Sequence, residues 1–281
     1  MRRLFFKYIV VLIAFLPFTT FAKGKKISKI VVDAGHGGKD FGAHGTFSNE
    51  KDVTLACALK LGKILKDSIK NLDVIYTRTV DEYPSLVKRH DIANEAQADL
   101  FIAIHANSTM DRVTRQVVGY KTIKKKKKSV KQPIYKIVRH HETSMMGVET
   151  YVIGLKRLGQ QAGEVTDEFS HDSTVSEGVL NENDPQTAII ISQYTSAFFQ
   201  RSVRLGTKIQ EQFAAQKRPD LGVKQKSLEV LAGSAMPGVL VEVGFINNPE
   251  EEAYLNSEKG QTEIAMAIYR GILAYKNEVE K

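Results

Sequence analysis

Three short apolar segments, separated by stretches with helical periodicity, constrain what this chain can fold into more than any other feature. The apolar segments are residues 27–34, 73–78 and 100–106, and the helical stretches between them are residues 49–70 and 84–97. Strands that alternate with helices predict βαβ crossovers. Because crossovers of this kind place helices on both faces of a sheet, we expect an α/β fold with a largely parallel sheet.

The second half of the sequence continues with strands and helices. Residues 147–154, 228–231 and 239–243 are predicted strands. Apolar residues at helical spacing predict a long amphipathic helix and a C-terminal helix. They are Tyr194, Phe198, Leu205, Ile209 and Phe213 in the first, and Ile264, Ile268, Ile272 and Tyr275 in the second.

Two stretches depart from this alternation. Five consecutive lysines, Lys124 to Lys128, lie between strand-like pieces at 117–123 and 134–138, which predicts an inserted basic hairpin within residues 109–146. Residues 155–185 are polar and acidic with little periodicity. We expect a mobile loop or a loosely packed helix there.

The amino terminus has the three-part pattern of a secretory signal peptide. Three basic residues are followed by an apolar stretch at 8–18 and by small residues at Thr20 and Ala22, so we expect cleavage after Ala22. A membrane anchor is the alternative, but the apolar stretch is shorter than the ~20 residues that a spanning helix needs. We therefore expect residues 1–22 to be a signal peptide, and the protein to be exported to the periplasm or cell envelope with no integral membrane segment. Residues 23–281 then form a single domain with insertions at about 109–146 and 155–185.

The positive charge of the chain is concentrated in one insertion. The net charge is +8, but residues 109–148 contain 11 Lys and Arg against two acidic residues, so the rest of the exported chain is slightly acidic. The basic hairpin binds anionic wall or membrane polymers, docks a partner, or is a solvated loop. Nucleic acid is not an expected partner of an exported chain without Trp or aromatic residues in the lysine run. The single cysteine, Cys57, excludes an intramolecular disulfide, and we expect it to be buried.

Four polar residues follow predicted strands or open a predicted helix. His36 follows the first strand, Glu50 opens the first helix, His105 ends the third strand and Glu242 lies near the end of strand 239–243. Catalytic residues of α/β sheets gather at the carboxyl ends of strands. Two imidazoles and one carboxylate form a three-ligand set for Zn²⁺ that leaves a position for water and substrate. A further carboxylate is then needed to move the proton.

The residues alone leave simpler alternatives open. His36 beside glycines is compatible with a turn residue, and Glu50 with a carboxylate that complements a helix dipole. His105 is compatible with a hydrogen-bonded core histidine, and Glu242 with a residue that faces solvent. The three candidate ligands lie in different segments, so their spacing does not by itself choose a metal-dependent hydrolase over these alternatives.

A resemblance to a known family favours the hydrolase. Six stretches occur in order, and together they resemble the zinc-dependent N-acetylmuramoyl-L-alanine amidases of the amidase-3 type. The resemblance covers residues 29–275 apart from the insertions. The stretches read VVDAGHGGKDFGAHG, NEKDVTL, YTR with a later RHDIAN, ADLFIAIHANS, GVETYVIG and PGVLVEVGFINNPEEEAYL.

The resemblance implies a fold, a site and a reaction. The fold is a three-layer α/β/α sandwich around a mixed, mostly parallel sheet. His36, Glu50 and His105 match the family's ligands for one zinc ion, and Glu242 matches its catalytic acid/base. The implied reaction is attack of a zinc-activated water on the amide between N-acetylmuramic acid and L-alanine in peptidoglycan, for cell separation or wall remodelling. A non-catalytic wall-binding or regulatory module, and a zinc peptidase acting within the stem peptide, remain as alternatives.

Further expectations concern residues around this site. We expect Arg78 and Arg89 to form structural ion pairs, and Asn107 to orient a ligand or touch substrate. His44 is expected in a surface loop and His90 in a structural role. His140, His141 and His171 lie in insertions and are not expected ligands. Some family members have a segment at 155–185 that blocks the zinc until an activator protein removes it; the candidate blocking carboxylates here are Glu164, Glu168 and Glu177.

Overall fold

The computed structural model describes residues 26–125, 128–171 and 185–281, so the predicted signal peptide lies outside the described residues. The strands within these ranges are β1 (Lys29–Ala34), β2 (Asp73–Tyr76), β3 (Leu100–Asn107), β4 (Arg112–Lys125), β5 (Lys128–His140), β6 (Val148–Ile153), β7 (Asp220–Lys226) and β8 (Gly238–Phe245). The helices are α1 (Glu50–Ser68), α2 (Leu86–Glu95), α3 (Leu158–His171), α4 (Pro185–Ala215), α5 (Glu229–Ala232), α6 (Pro249–Leu255) and α7 (Glu258–Val279), with a 3₁₀ turn at Leu155–Arg157.

The central sheet is mixed and mostly parallel. Its strand order is β2-β1-β3-β8-β6-β7. Neighbouring strands are parallel except for β6 and β8, which are antiparallel. Side chains of α1, α4 and α7 pack on one face of the sheet, and side chains of α2 and α5 pack on the other. This arrangement confirms the expected three-layer α/β/α sandwich.

The central strands contain long apolar runs because both faces of the sheet are covered. In β3, Leu100, Ile102 and Ile104 join the cluster formed with α1, α4 and α7, while Phe101 and Ala103 join the cluster on the opposite face. Successive strand residues point to opposite faces, so a strand covered on both sides needs an unbroken apolar run. That is the pattern that made β1, β3 and β8 recognisable in the sequence.

The basic hairpin is present and longer than its two strand-like pieces predict. Strands β4 and β5 pair antiparallel from Arg112 opposite His140 to Lys125 opposite Lys128, and they form a two-stranded sheet separate from the central one. Of the five lysines, Lys126 and Lys127 lie outside the described residues.

Residues 228–231 were predicted to form a strand, and this prediction is wrong. They enter the short helix α5, which is buried against α2. A short apolar run has the same composition whether it forms a buried strand or a buried helical turn, so periodicity cannot separate the two. The strand of this region is β7, which the sequence did not reveal because an edge strand is largely exposed and polar.

The acidic stretch 155–185 is helical where it is described. A 3₁₀ turn leads into α3, and α4 begins at Pro185; residues 172–184 lie outside the described residues. In α3 the side chain of Gln161 is buried and donates to the Ser234 carbonyl, so this part of the stretch packs against the body of the protein. None of the helices within the described ranges is both long and apolar enough to cross a membrane.

Candidate active site

The candidate site lies where β1, β3 and β8 end. These three strands are adjacent and parallel, so their carboxyl ends meet at one edge of the sheet. His36 follows β1 by two residues, and His105 and Glu242 are partners in the register between β3 and β8. Glu50 is the first residue of α1. The topology therefore brings together the four residues that the sequence singled out.

Both oxygens of the Glu50 carboxylate face an imidazole. Glu50 Oε1 lies 2.9 Å from His105 Nδ1, and Glu50 Oε2 lies 3.1 Å from His36 Nε2. The two rings meet edge to face, with their centroids 4.9 Å apart. One ligand atom from each of these three residues falls within 4.8 Å of the others, and within the described part of the chain this is the one group of three or more such residues that can hold a metal ion.

Backbone hydrogen bonds fix the orientation of Glu50. The N–H of Ala106 donates to Oε1 at 3.0 Å, and the N–H of Ala43 donates to Oε2 at 2.8 Å. Burial acts to raise the pKa of Glu50, but the hydrogen bonds from His105 and His36 outweigh it and hold that pKa far below its usual range. A buried carboxylate held in this way is a preformed anionic centre between two ring nitrogens.

The loop after β1 presents His36 in a strained backbone conformation. His36 has φ +58°, in the left-handed region, and the next two residues, Gly37 and Gly38, also have positive φ. A side chain at Gly37 would collide with the Glu82 carbonyl, so this turn needs glycine on steric grounds as well. The Gly-rich motif therefore exists because the chain must reverse tightly to bring the ring into the site.

Two buried arginines hold this loop in place. Arg89 forms the expected ion pair with Asp33 at 2.6 Å, and it also donates to the carbonyls of Ala34 and His36. The expectation of an ion pair at Arg78 is not met within the described residues, where its hydrogen bonds go to Thr54 and to carbonyl oxygens, among them that of Gly35. A carbonyl-rich turn buried against a helix needs donors, and the guanidinium group has five of them.

Asp40 is a site residue that sequence reasoning missed. Its Oδ2 lies 2.8 Å from His36 Nδ1. In the neutral ring, donation of Nδ1–H to Asp40 leaves the Nε2 lone pair directed at Glu50 and His105, which is the form of histidine that binds metals. Burial acts to lower the pKa of His36, but Glu50 and Asp40 outweigh it and raise that pKa to about 9. The signal for Asp40 was its position four residues after His36 in the same turn.

The Glu242 side chain is buried, and one of its carboxylate oxygens has no hydrogen-bond partner within the described residues. Its exposed fraction is 8%, and the oxygen in question, Oε2, is itself buried. Burial raises the pKa of Glu242 to about 7, with Glu50 and Glu149 acting in the same direction and His105 and Lys226 against it. A carboxyl group whose pKa is near neutrality can both accept and donate a proton at physiological pH.

A second polar group adjoins Glu242 and was not recognised from the sequence. Glu149 on β6 pairs with Glu242 across the sheet register and is itself buried. It accepts hydrogen bonds from Asn107, from the Tyr151 hydroxyl at 2.6 Å and from Lys224. The side chain of Asn107 therefore donates to Glu149, not to one of the two histidines proposed as ligands. Sequence analysis did not find this group because Lys224, which pairs with Glu149, lies on strand β7, and β7 was not predicted.

The other histidines have structural surroundings. His44 lies in the loop before α1 with Nδ1 2.8 Å from Asn49 Oδ1, and His90 is buried on α2 against Gly233. His140 is paired with Thr114 in the hairpin. His141 lies 2.8 Å from Asp111 and 2.7 Å from the His44 carbonyl, so it joins the base of the hairpin to the loop beside the site.

Of the three candidate blocking carboxylates, only Glu164 has a side chain among the described residues. Glu164 on α3 accepts a 3.5 Å hydrogen bond from Asn94 of α2 and is not a member of the three-residue group described above. The side chain of Glu168 and the whole of Glu177 lie outside the described residues, as does the side chain of His171.

The chain matches known proteins over most of its length. The family model for N-acetylmuramoyl-L-alanine amidase matches residues 30–274. The amidase AmiA of Escherichia coli is 29% identical over 90% of this chain and 76% of its own length. A probable amidase AmiB of Haemophilus influenzae is 30% identical over 93% of this chain, which spans 55% of that protein. The crystal structure of an N-acetylmuramoyl-L-alanine amidase from Clostridium difficile 630 superimposes with a TM-score of 0.60 at 25% identity, over 90% of this chain and 98% of that one.

Proposed function

The chain belongs to the N-acetylmuramoyl-L-alanine amidase family, and from that membership we propose that it is an exported zinc enzyme that releases stem peptides from peptidoglycan. As an N-acetylmuramoyl-L-alanine amidase it is a hydrolase of peptidoglycan. The family match spans residues 30–274, which contain His36, Glu50, His105 and Glu242. The proposal adds the metal, the role of each of these residues and the place of action.

The metal proposal rests on the convergence of His36, Glu50 and His105. Two imidazole nitrogens and one carboxylate are a donor set that zinc adopts in catalytic sites, with one position left for water and substrate. The pairing of His36 Nδ1 with Asp40 adds the outer carboxylate that metal-bound histidines commonly have. These three residues would hold the zinc ion, which would supply a Lewis acid able to polarise a carbonyl oxygen and to lower the pKa of water.

Glu242 performs the proton transfers in the proposed reaction. As a carboxylate it takes a proton from the attacking water, and as a carboxylic acid it gives that proton to the nitrogen of the departing L-alanine. Its position opposite His105 in the register places it beside the metal ligands. Its Oε2, which has no hydrogen-bond partner in the described part of the chain, and its pKa near neutrality suit both steps. The products are a glycan with a free lactyl carboxylate and a peptide with a free L-alanine amino group.

A glutamine at position 242 tests this assignment. Glu242→Gln keeps the shape of the side chain but cannot accept the proton, so hydrolysis should fall by about 10²–10⁴-fold. Zinc content should be unchanged, because Glu242 is not among the three proposed ligands. The control is Glu211→Gln on α4, an exposed carboxylate that is not among the residues of the candidate site.

Mass spectrometry of digested sacculi supplies the second readout. Peptides that begin with a free L-alanine amino group support the amidase, whereas cleavage within the stem identifies a peptidase. A fully active Glu242→Gln enzyme would refute the catalytic role of Glu242. Loss of zinc from His36→Ala and His105→Ala, but not from Glu242→Gln, would support the ligand set.

We also propose export and a role in cell separation or wall remodelling. The support is the signal-peptide pattern of residues 1–22, together with a substrate that lies outside the cytoplasmic membrane. The amino-terminal sequence of the protein recovered from cells tests this. A chain that begins at Lys23 supports export, and an intact Met1 in the envelope fraction contradicts cleavage.

Regulation through residues 155–185 is a further part of the proposal. A carboxylate from this stretch would occupy the open metal position until an activator protein removes it. Replacing Glu164, Glu168 and Glu177 together by glutamine should then raise activity on isolated sacculi while zinc content stays constant. Unchanged activity in the triple variant would contradict this regulation, and single variants would identify the blocking residue.

A further inference from the structure

The β4–β5 hairpin extends from the body of the protein without packing on it. Its strands of 14 and 13 residues pair with each other along their length, and most of their side chains on both faces are exposed. At ~3.3 Å per residue the hairpin is about 40 Å long. An isolated two-stranded hairpin is marginally stable in water, so a surface that covers one of its faces would stabilise it.

The hairpin carries only positive formal charge. Residues 112–140 contain 11 Lys and Arg and no Asp or Glu. This charge opposes the pairing of two hairpins from separate copies of the chain and attracts an anionic surface. Because the rest of the exported chain is slightly acidic, the attraction is confined to this hairpin.

One face of the hairpin combines this charge with exposed apolar side chains. Residues directly opposite each other in an antiparallel pair lie on the same face. The register pairs Val117 with Tyr135 and Tyr120 with Pro133, and the irregularity at Val118 keeps both pairs on one face. We call it the tyrosine face; it comprises Val113, Val117, Tyr120, Pro133, Tyr135 and Ile137, with Arg115, Lys131 and Arg139 among them.

The apolar side chains of the tyrosine face are available to a partner. Val113, Val117, Tyr120, Tyr135 and Ile137 are each between 44% and 65% exposed. Exposed apolar residues grouped with basic ones mark a contact surface rather than a solvated loop. A polyphosphate would engage the basic groups alone, and an anionic polysaccharide would engage the basic groups and the tyrosine rings but leave the Val and Ile side chains in water. The headgroup region of a bilayer offers anionic charge to the basic groups and apolar depth to Tyr and Ile side chains.

We propose that the tyrosine face of the β4–β5 hairpin docks the protein on an anionic lipid membrane. Lys and Arg provide the long-range attraction, and Tyr120, Tyr135 and Ile137 enter the interface between headgroups and acyl chains. The base of the hairpin is tied to the site, because His141 contacts the His44 carbonyl and Asn247 donates to the His141 carbonyl at 2.7 Å. Docking therefore holds the candidate active site within about one hairpin length of the lipid.

Vesicle sedimentation tests this docking directly. The protein used begins at Lys23, so that the apolar leader cannot contribute, and the vesicles contain either phosphatidylglycerol with phosphatidylcholine or phosphatidylcholine alone. The unsubstituted protein should sediment with the anionic vesicles, and much less with neutral vesicles or at high salt. Replacing Tyr120, Tyr135 and Ile137 by serine should lower partitioning at least about tenfold, since the apolar contribution is lost while every charge remains.

The matched control removes apolar side chains from the opposite face. Val130 and Ile134 are 45% and 43% exposed and lie on that face, so Val130→Ser with Ile134→Ser should leave partitioning within about threefold of the unsubstituted value. Activity on sacculi should be retained in all variants, which separates this result from the proposed hydrolysis. The proposal is overturned if the chain does not bind anionic vesicles, or if the tyrosine-face variant binds them like the control. Equal capture by a soluble anionic polymer, unaffected by the three serines, would assign the hairpin to a wall polymer instead.

Discussion

Glu242→Gln should alter how the stability of the metal-free protein depends on pH. The side chain is 8% exposed, and Oε2 is buried without a partner within the described residues. Ionisation of Glu242 in the native state therefore places a charge where neither water nor a donor compensates it fully. Glutamine has nearly the same shape and stays neutral at every pH, so it removes only this charge.

The sign and size of the effect follow from the two pKa values. Burial raises the pKa of Glu242 from about 4.5 to about 7 in the native state. Between these values the native protein keeps a proton that the unfolded chain has released, so stability falls as pH rises. The stabilising contribution of the protonated Glu242 is fully present below pH 4.5, and it is lost as the pH rises through 7. Because each unit of difference between the two pKa values corresponds to about 1.4 kcal/mol, the free energy of unfolding lost at pH 8 is about 3 kcal/mol.

Urea unfolding of the chelator-treated proteins measures this difference. The free energy of unfolding of the glutamine variant should exceed that of the unsubstituted protein by about 3 kcal/mol at pH 8 and by about 1 kcal/mol at pH 5. Other groups titrate in the same range, but the difference between the two proteins isolates position 242. A difference that stays constant from pH 5 to pH 8 would refute the raised pKa and, with it, this account of how Glu242 handles protons.

Two further predictions concern the residues that support the site. A Cβ at Gly35 would lie 2.5 Å from His105 Nε2 and 2.7 Å from Nδ1, so Gly35→Ala should displace the ring, reduce activity about 100-fold and lower zinc retention. The control is Gly163→Ala, whose Cβ meets open space. Equal zinc retention in the two variants would contradict the reasoning. Arg89→Met leaves Asp33 buried without its cation and should lower the free energy of unfolding by about 3–5 kcal/mol in urea titrations. Adding Asp33→Asn should recover part of that loss, and no recovery would show that the ion pair is not the cause.

Most strands and helices were predictable because the pattern of apolar residues in each one depends on which of its faces are buried. The apolar runs of β1, β3 and β8 follow from a sheet covered on both faces, and the spacing in α1 and α7 follows from one packed face. The exceptions are elements whose burial differs from the norm. Strand β7 lies at the sheet edge and is polar, and the four-residue helix α5 is too short to show a helical period.

The residue types of the candidate site were also recognisable, but their arrangement was not. His36, Glu50, His105 and Glu242 attracted notice because polar groups follow apolar strands or open a helix. Their distances depend on which strands are neighbours, and sequence separation carries no such information. Because β1, β3 and β8 are adjacent in the sheet, their carboxyl ends place these residues side by side at one edge.

The sequence by itself determined much of the local character of this protein: most of the strands and helices, and where the charge is concentrated. The tertiary structure decided the relations between segments. It turned β6 antiparallel to β8, which set Glu149 beside Glu242; it paired Asp40 with His36, and it left the β4–β5 hairpin unpacked. The physical reason is that propensity and periodicity act over a few residues, whereas a site is made by chain segments that only packing brings together.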